Sequence, residues 1–140
     1  MIRSILVLRA VAGILWLAQL VMGILFWTGH ALTLVQLHMS LGYLFVVALW
    51  ALAFVCGRAG APGSQVALVV VWGAIVVALG PTQVQLLPGP LHWIVRVVHL
   101  LVGLAAMPLA GRLSMMALRS APPHGTQRPT VITGAPRTAG

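Results

Sequence analysis

The chain contains no aspartate, no glutamate and no lysine, and its eight charged side chains are all arginine. A soluble domain of this length keeps its surface wetted with charge on roughly a quarter of its residues, and here only 6% are charged. A water-facing surface cannot be built from that inventory, whereas a lipid-facing one can. The missing carboxylates bear on chemistry too. Only histidines remain to move protons near a cofactor, which argues against a stand-alone proton-coupled enzyme and for a chain with no catalytic activity of its own. One cysteine, Cys56, excludes an internal disulfide and a CxxCH covalent haem attachment, and it reads as a small apolar residue near the end of a span.

What is present is apolar. Hydrophobic residues make up 61% of 140 positions and the mean hydropathy is +1.08. The length suits one compact bundle. A pI near 12.0 would ordinarily point to nucleic acid, but the arginines stand singly at segment ends with no clustered patch, so no nucleic-acid partner is expected.

Four apolar runs follow one another, at about residues 10–28, 31–56, 66–87 and 91–118. Arg3 and Arg9 ahead of the first run resemble the start of a signal peptide. However, Ala10 to Thr28 exceeds a typical signal core, and no convincing small-residue cleavage site follows, so this run is expected to be retained. The second run closes at Gly57 and Arg58, ahead of a Gly/Pro-rich link. The third stays strongly apolar to Gly80, where Pro81 interrupts it and a segment through Pro90 reads as an interfacial turn. Pro108 marks a kink in the fourth. At ~1.5 Å per residue the runs reach roughly 23 to 40 Å, against a hydrocarbon core of about 30 Å.

Backbone in lipid must satisfy its own hydrogen bonds, and no period-two alternation argues for a barrel, so the fold class is all-α. The expected architecture is a four-helix up-down-up-down transmembrane bundle over residues 1–118, followed by a flexible cytoplasmic tail at 119–140. Threaded this way, Arg3, Arg9, Arg58, Arg112, Arg119, Arg128 and Arg137 share one side, and the two opposite connections carry no charge. The positive-inside rule then places both termini in the cytoplasm of a bacterial inner (cytoplasmic) membrane.

Polar groups inside a span are functional candidates by default. His38 and Gly42 in the second run, and His99 and Gly103 in the fourth, repeat an HxxxG spacing that puts each glycine one turn from its histidine. The two motifs stand 61 residues apart, which hints at duplication of a two-helix unit. In parallel spans both histidines lie about 10 to 12 Å from the outer ends. Two imidazoles at matched depth can clamp a haem iron from both faces, with glycine admitting the flat macrocycle; without CxxCH this would be haem b. Arg96 lies three residues before His99 with no carboxylate in the chain to pair it. A haem propionate, a lipid phosphate or an acidic residue of another subunit would.

The plainer reading has each histidine hydrogen-bonding a neighbouring helix. His30 and His92 stand at the span mouths, where interfacial hydrogen bonds are expected, although His92 faces the same way as His99 and could touch a propionate. His124 falls in the tail. Gly13, Gly23 and Gly73 read as helix-packing sites, the tryptophans as lipid-facing or interfacial, and Gln19 as a buried amide that needs a partner.

These segments carry a resemblance. Gln19-Leu-Val-Met-Gly23, His38-x-x-x-Gly42 and Leu86-Leu-Pro-Gly-Pro-Leu-His92-Trp93 with His99-Leu-Leu-Val-Gly103 resemble small four-span bacterial membrane proteins of unassigned function. Their plan is similar to one half of haem A synthase, where histidines on the second and fourth helices of a bundle ligate haem. The resemblance implies His38 and His99 as axial metal ligands. The haem A synthase pattern also uses a membrane carboxylate, which this chain lacks, so what carries over is ligation and not the synthase reaction. Two functional readings follow. One is a cytochrome b-like subunit for electron transport or haem housing in a larger membrane complex. The other is a structural accessory subunit of a respiratory or photosynthesis complex, binding a chlorophyll-type pigment or no cofactor. Lipid bilayer contact is expected in both, and association with other membrane subunits or with itself follows from the unpaired Arg96 and the small-residue spacings. Transport is the weakest class, because no broken midplane helix with paired charges is evident.

Overall fold

The computed structural model describes residues 1–120, so the expected tail lies outside the described residues apart from its first two positions, as does His124. Among the described residues the chain is all-helical. Helix α1 spans Ile2–Trp27, α2 Val35–Arg58, α3 Gly63–Thr82 and α4 His92–Ser120, and a single 3-10 turn, Leu32–Leu34, leads into α2. All four helices are long and apolar enough to cross a membrane.

The helix ends follow local chemistry. At the end of α1 the His30 amide donates to the Leu25 carbonyl at 2.8 Å and the Gly29 amide to Phe26 at 3.1 Å. Gly29 takes φ +79, so this is a Schellman stop of the kind glycine permits without a Cβ clash. The same device ends α2, where Ala61 donates to Cys56 and Gly60 to Gly57, with Gly60 at φ +92. The stop is therefore Gly60, not Gly57, which stays helical and lets Val66 of α3 approach to 3.5 Å of where its Cβ would stand. Two further boundaries differ from expectation. Helix α1 starts eight residues before the first apolar run, burying Ile5. Helix α3 runs through Pro81 to Thr82, because a proline in the last turn forfeits only one amide that would have bonded back into the helix.

The helices pack around one core at the end of the bundle that carries the chain's start and the α2–α3 link. Ile5 and Ala12 of α1, Leu49, Leu52, Ala53 and Cys56 of α2, and Ala106, Ala110, Leu113 and Ala117 of α4 are all fully buried or nearly so. On α4 these positions recur at intervals of four, three and four, one stripe of a helix, and alanine there lets backbones come close where no hydrophobic effect drives association. Ser114, a polar residue buried as a whole, returns its hydroxyl to the Ala110 carbonyl at 2.7 Å. Large side chains such as Leu6, Ile14, Leu44, Phe54, Val71 and Leu101 point outward. Continuous apolar surface on this scale would be a liability in water and is what lipid contact requires.

Three indoles tie neighbouring helices together. Trp50 Nε1 donates to the Val70 carbonyl at 3.1 Å, Trp72 Nε1 to Val102 at 2.9 Å and Trp16 Nε1 to Gly103 at 2.9 Å. Gly73 makes the α2–α3 contact possible, since a Cβ there would stand 2.6 Å from Trp50 Nε1. Replacing Trp72 by Phe removes one bond and some packing, and should lower the unfolding free energy in detergent by about 1 to 2 kcal/mol. A Trp72→Phe denaturant midpoint equal to wild type would mean that this bond contributes nothing.

Candidate functional site

At the other end of the bundle the packing opens. Where α1 finishes, α2 begins, α3 finishes and α4 begins, a cavity of about 390 Å³ lies between the helices. His38, three residues into α2, and His99, seven residues into α4, both line it, together with Gln19, Arg96, His92 and Gly103. The wall is otherwise mainly apolar, with Trp16, Leu20, Phe26, Val76 and Leu100 among its members.

The two imidazoles face each other with ring centroids 6.5 Å apart and planes tilted by 52°. Phe26 presents an edge-on ring to His38 at 5.3 Å. Nδ1 of each histidine is buried and has no hydrogen-bond partner. A buried ring nitrogen left unpaired costs about 1 to 3 kcal/mol, so each Nδ1 calls for a partner, a water molecule included. An ion bound at about 2.0 Å by one nitrogen of each of two opposed imidazoles would hold the ring centroids roughly 6 to 6.5 Å apart, the spacing found here. Among the described residues no three His, Cys, Asp or Glu side chains converge, so a tetrahedral structural zinc lacks its ligands. Two imidazoles could serve a metal whose remaining ligands are not protein side chains.

Each expected residue can be located. Gly103 has nothing within 4 Å of where its Cβ would be, leaving the α4 wall open one turn past His99. Gly42 is occupied differently: a Cβ there would come 2.8 Å from Gln19 Nε2, so this glycine admits the Gln19 amide. That amide donates to the His38 carbonyl at 2.7 Å, while its Oε1 is buried without a partner. Arg96 lines the cavity from an exposed position. His92 also lines it, with Nδ1 3.2 Å from the Leu86 carbonyl. His30 stays outside the lining, exposed and paired with Thr28 Oγ1 at 3.1 Å, as a mouth residue should be. Gly23 is in the wall, and Gly13 meets Met107 at 3.6 Å inside the bundle. Gly13 thus packs within this chain, whereas no neighbour lies within 4 Å of where a Cβ of Gly23 would stand.

Trp16 was expected at the lipid surface and instead joins the wall with its indole on Gly103. No sequence signal marks it, because the acceptor is a backbone carbonyl. The two connections bordering the cavity also hold, among the described residues, the two non-glycine residues with left-handed backbone, Ala31 at φ 56 and Leu87 at φ 45. Strain of this kind is tolerated where surrounding structure fixes it, and it collects near binding sites.

The chain matches no family model, no curated protein and no solved structure.

Proposed function

We propose that this protein is a four-span subunit of a bacterial inner membrane whose His38 and His99 hold one b-type haem, for electron transfer or haem housing within a larger membrane complex. The observation that carries the reading is the facing imidazole pair at 6.5 Å, with both Nδ1 atoms unpartnered beside a cavity. Bound there, haem would supply one-electron exchange. The chain's own residues do the rest. His38 and His99 give one ring nitrogen each from opposite walls, and the apolar lining excludes water. Arg96, with His92 beside it, offers positive charge and hydrogen bonds to a carboxylate that the chain itself does not contain.

The up-down-up-down course with both ends in the cytoplasm belongs to the same proposal. Its support is the register of cross-helix neighbours: Gly57 lies by Val66 and Trp50 by Val70, while Gly13 lies by Met107 and Trp16 by Gly103. Numbers that fall along one helix as they rise along the next describe antiparallel neighbours. In that arrangement Arg3, Arg9, Arg58, Arg112 and Arg119 gather at one end, opposite the cavity. Association with other membrane subunits is part of the reading as well, since the chain holds no carboxylate to pair with Arg96.

Two measurements test it. Protein made with ample haem should show a Soret band and, after dithionite, a sharp α-band; wild-type protein without Soret absorption ends the haem reading. For topology, cysteines are placed singly in a Cys56→Ala background. A cysteine at Ser120 should resist an impermeant maleimide in intact cells, and one at Pro88 should react. The reverse pattern would refute the orientation.

A further inference from the structure

Six arginines fall among the described residues, and five of them are exposed; Arg9 alone is partly buried. It shares a stripe of α1 with Gly13 and Trp16, four and seven residues on, and both of those meet α4, at Met107 and Gly103. Continuing that antiparallel register by one turn sets Arg9 beside Ala110 and Gly111. Both leave room: Ala110 is small and fully buried, and nothing lies within 4 Å of where a Cβ of Gly111 would stand. Arg112 comes next and is exposed, so two arginines stand at one depth on neighbouring helices. The chain has no carboxylate to pair with either. Their depth can be measured from the opposite end. Trp27 and Trp93, exposed aromatic residues of the kind that mark a headgroup boundary, stand 18 and 19 residues from Arg9 and Arg112. At ~1.5 Å per residue those stretches measure about 27 to 29 Å, against a hydrocarbon core of about 30 Å. The tryptophans therefore mark one boundary of the core and the two arginines the other, where lipid phosphates begin.

We propose that Arg9 and Arg112 form a binding site for the phosphate of an anionic phospholipid, at the α1–α4 groove of the closed end. An arginine in an apolar stretch is costly unless an anion meets it, and the planar guanidinium donates to phosphate oxygens in pairs. Two positive charges with no acid nearby favour a headgroup of net negative charge over a zwitterionic one. The groove also suits acyl chains. Leu17, one turn past Gly13, and Leu104, two turns from Gly111, are exposed apolar side chains on the way to the middle of the core. This site lies at the far end of the bundle from His38 and His99 and needs no haem.

The test titrates the whole chain in mild detergent with phosphatidylglycerol or phosphatidylcholine and counts bound lipid by native mass spectrometry at fixed ionic strength. Wild type should take up phosphatidylglycerol in preference. Arg9→Gln and Arg112→Gln should each weaken that binding roughly fivefold, and the double variant should lose the preference. Arg3→Gln, an exposed arginine nearer the helix end, should leave it unchanged. Where Arg9→Gln does not accumulate, Arg112→Gln at its exposed position decides alone. Inorganic phosphate should not displace the lipid, because it lacks the acyl chains; displacement would assign the site to a free anion and overturn the proposal. Equal uptake of the two lipids by wild type would overturn it too, and is the result expected if these arginines face an acidic partner subunit. A loss in Arg3→Gln as large as in Arg112→Gln would show a diffuse positive end with no site in it.

Discussion

Alanine at His38 or at His99 should turn a low-spin haem spectrum into a high-spin one, with loss of the sharp reduced α-band. Each substitution removes one of two axial donors, and a haem left with a single imidazole has lost its low-spin ligand field and half of its anchoring. Haem retained through purification should fall on the order of tenfold in either single variant, a difference of about 1.4 kcal/mol, and reach background in the double variant. Arg96→Ala should cost less, roughly threefold, because a propionate near the membrane surface can still find water or lipid headgroups. The ranking is as informative as the sizes. If a Soret band survives in the double variant, the imidazoles are not the ligands, and the pair 6.5 Å apart needs another explanation. If Arg96→Ala costs more than either histidine, charge and not ligation holds the group.

The second large effect is expected at the opposite end of the bundle. Leu52 is 0% exposed and sits in the seam with Leu49, Ala53 and Leu113, whereas Leu44 on the same helix is 55% exposed. Leu52→Ala opens a void among atoms that cannot all relax, and should lower unfolding free energy by about 2 to 3 kcal/mol in detergent. That is the lower part of the range known for soluble cores, because lipid or detergent solvates an exposed leucine nearly as well as the protein interior does. Leu44→Ala should cost under about 0.5 kcal/mol for the same reason. Equal midpoints for the two variants in a denaturant titration would show that the seam does not hold the helices together.

The number of helices and their lipid-facing character were legible because a bilayer imposes them on any run of some twenty apolar residues. His38 and His99 were paired in the sequence by their matched depth in two spans of the same direction, and their rings lie 6.5 Å apart. Boundaries were less legible. Whether Gly57 or Gly60 stops α2 depends on which glycine can take positive φ with its amide still bonded, and Pro62 just beyond Gly60 decides it by starting the next helix. The N-terminal extension of α1 escaped notice because Arg3 and Arg9 interrupt the hydropathy without interrupting the helix, arginine being a good helix former. Gln19 was visible as a polar residue in need of a partner, but its partner was not. The His38 carbonyl looks like any other carbonyl in a sequence, and so do the Val70, Val102 and Gly103 carbonyls that hold the three indoles.

The two ends of this bundle are built on different terms, and that separation bears on how the protein can change over time. The alanine and leucine seam from Ile5 to Ala117 holds the helices together, and of its buried residues only Phe45 reaches the walls around His38 and His99, while Trp16, Val76 and Val77 touch both. Wall residues that make no contact with the seam should therefore tolerate substitution better than the seam itself does. The residues lining the cavity could thus vary while the scaffold stays the same. Descent would then be recorded in the small residues of the closed half, and specialisation in the handful of side chains around the cavity.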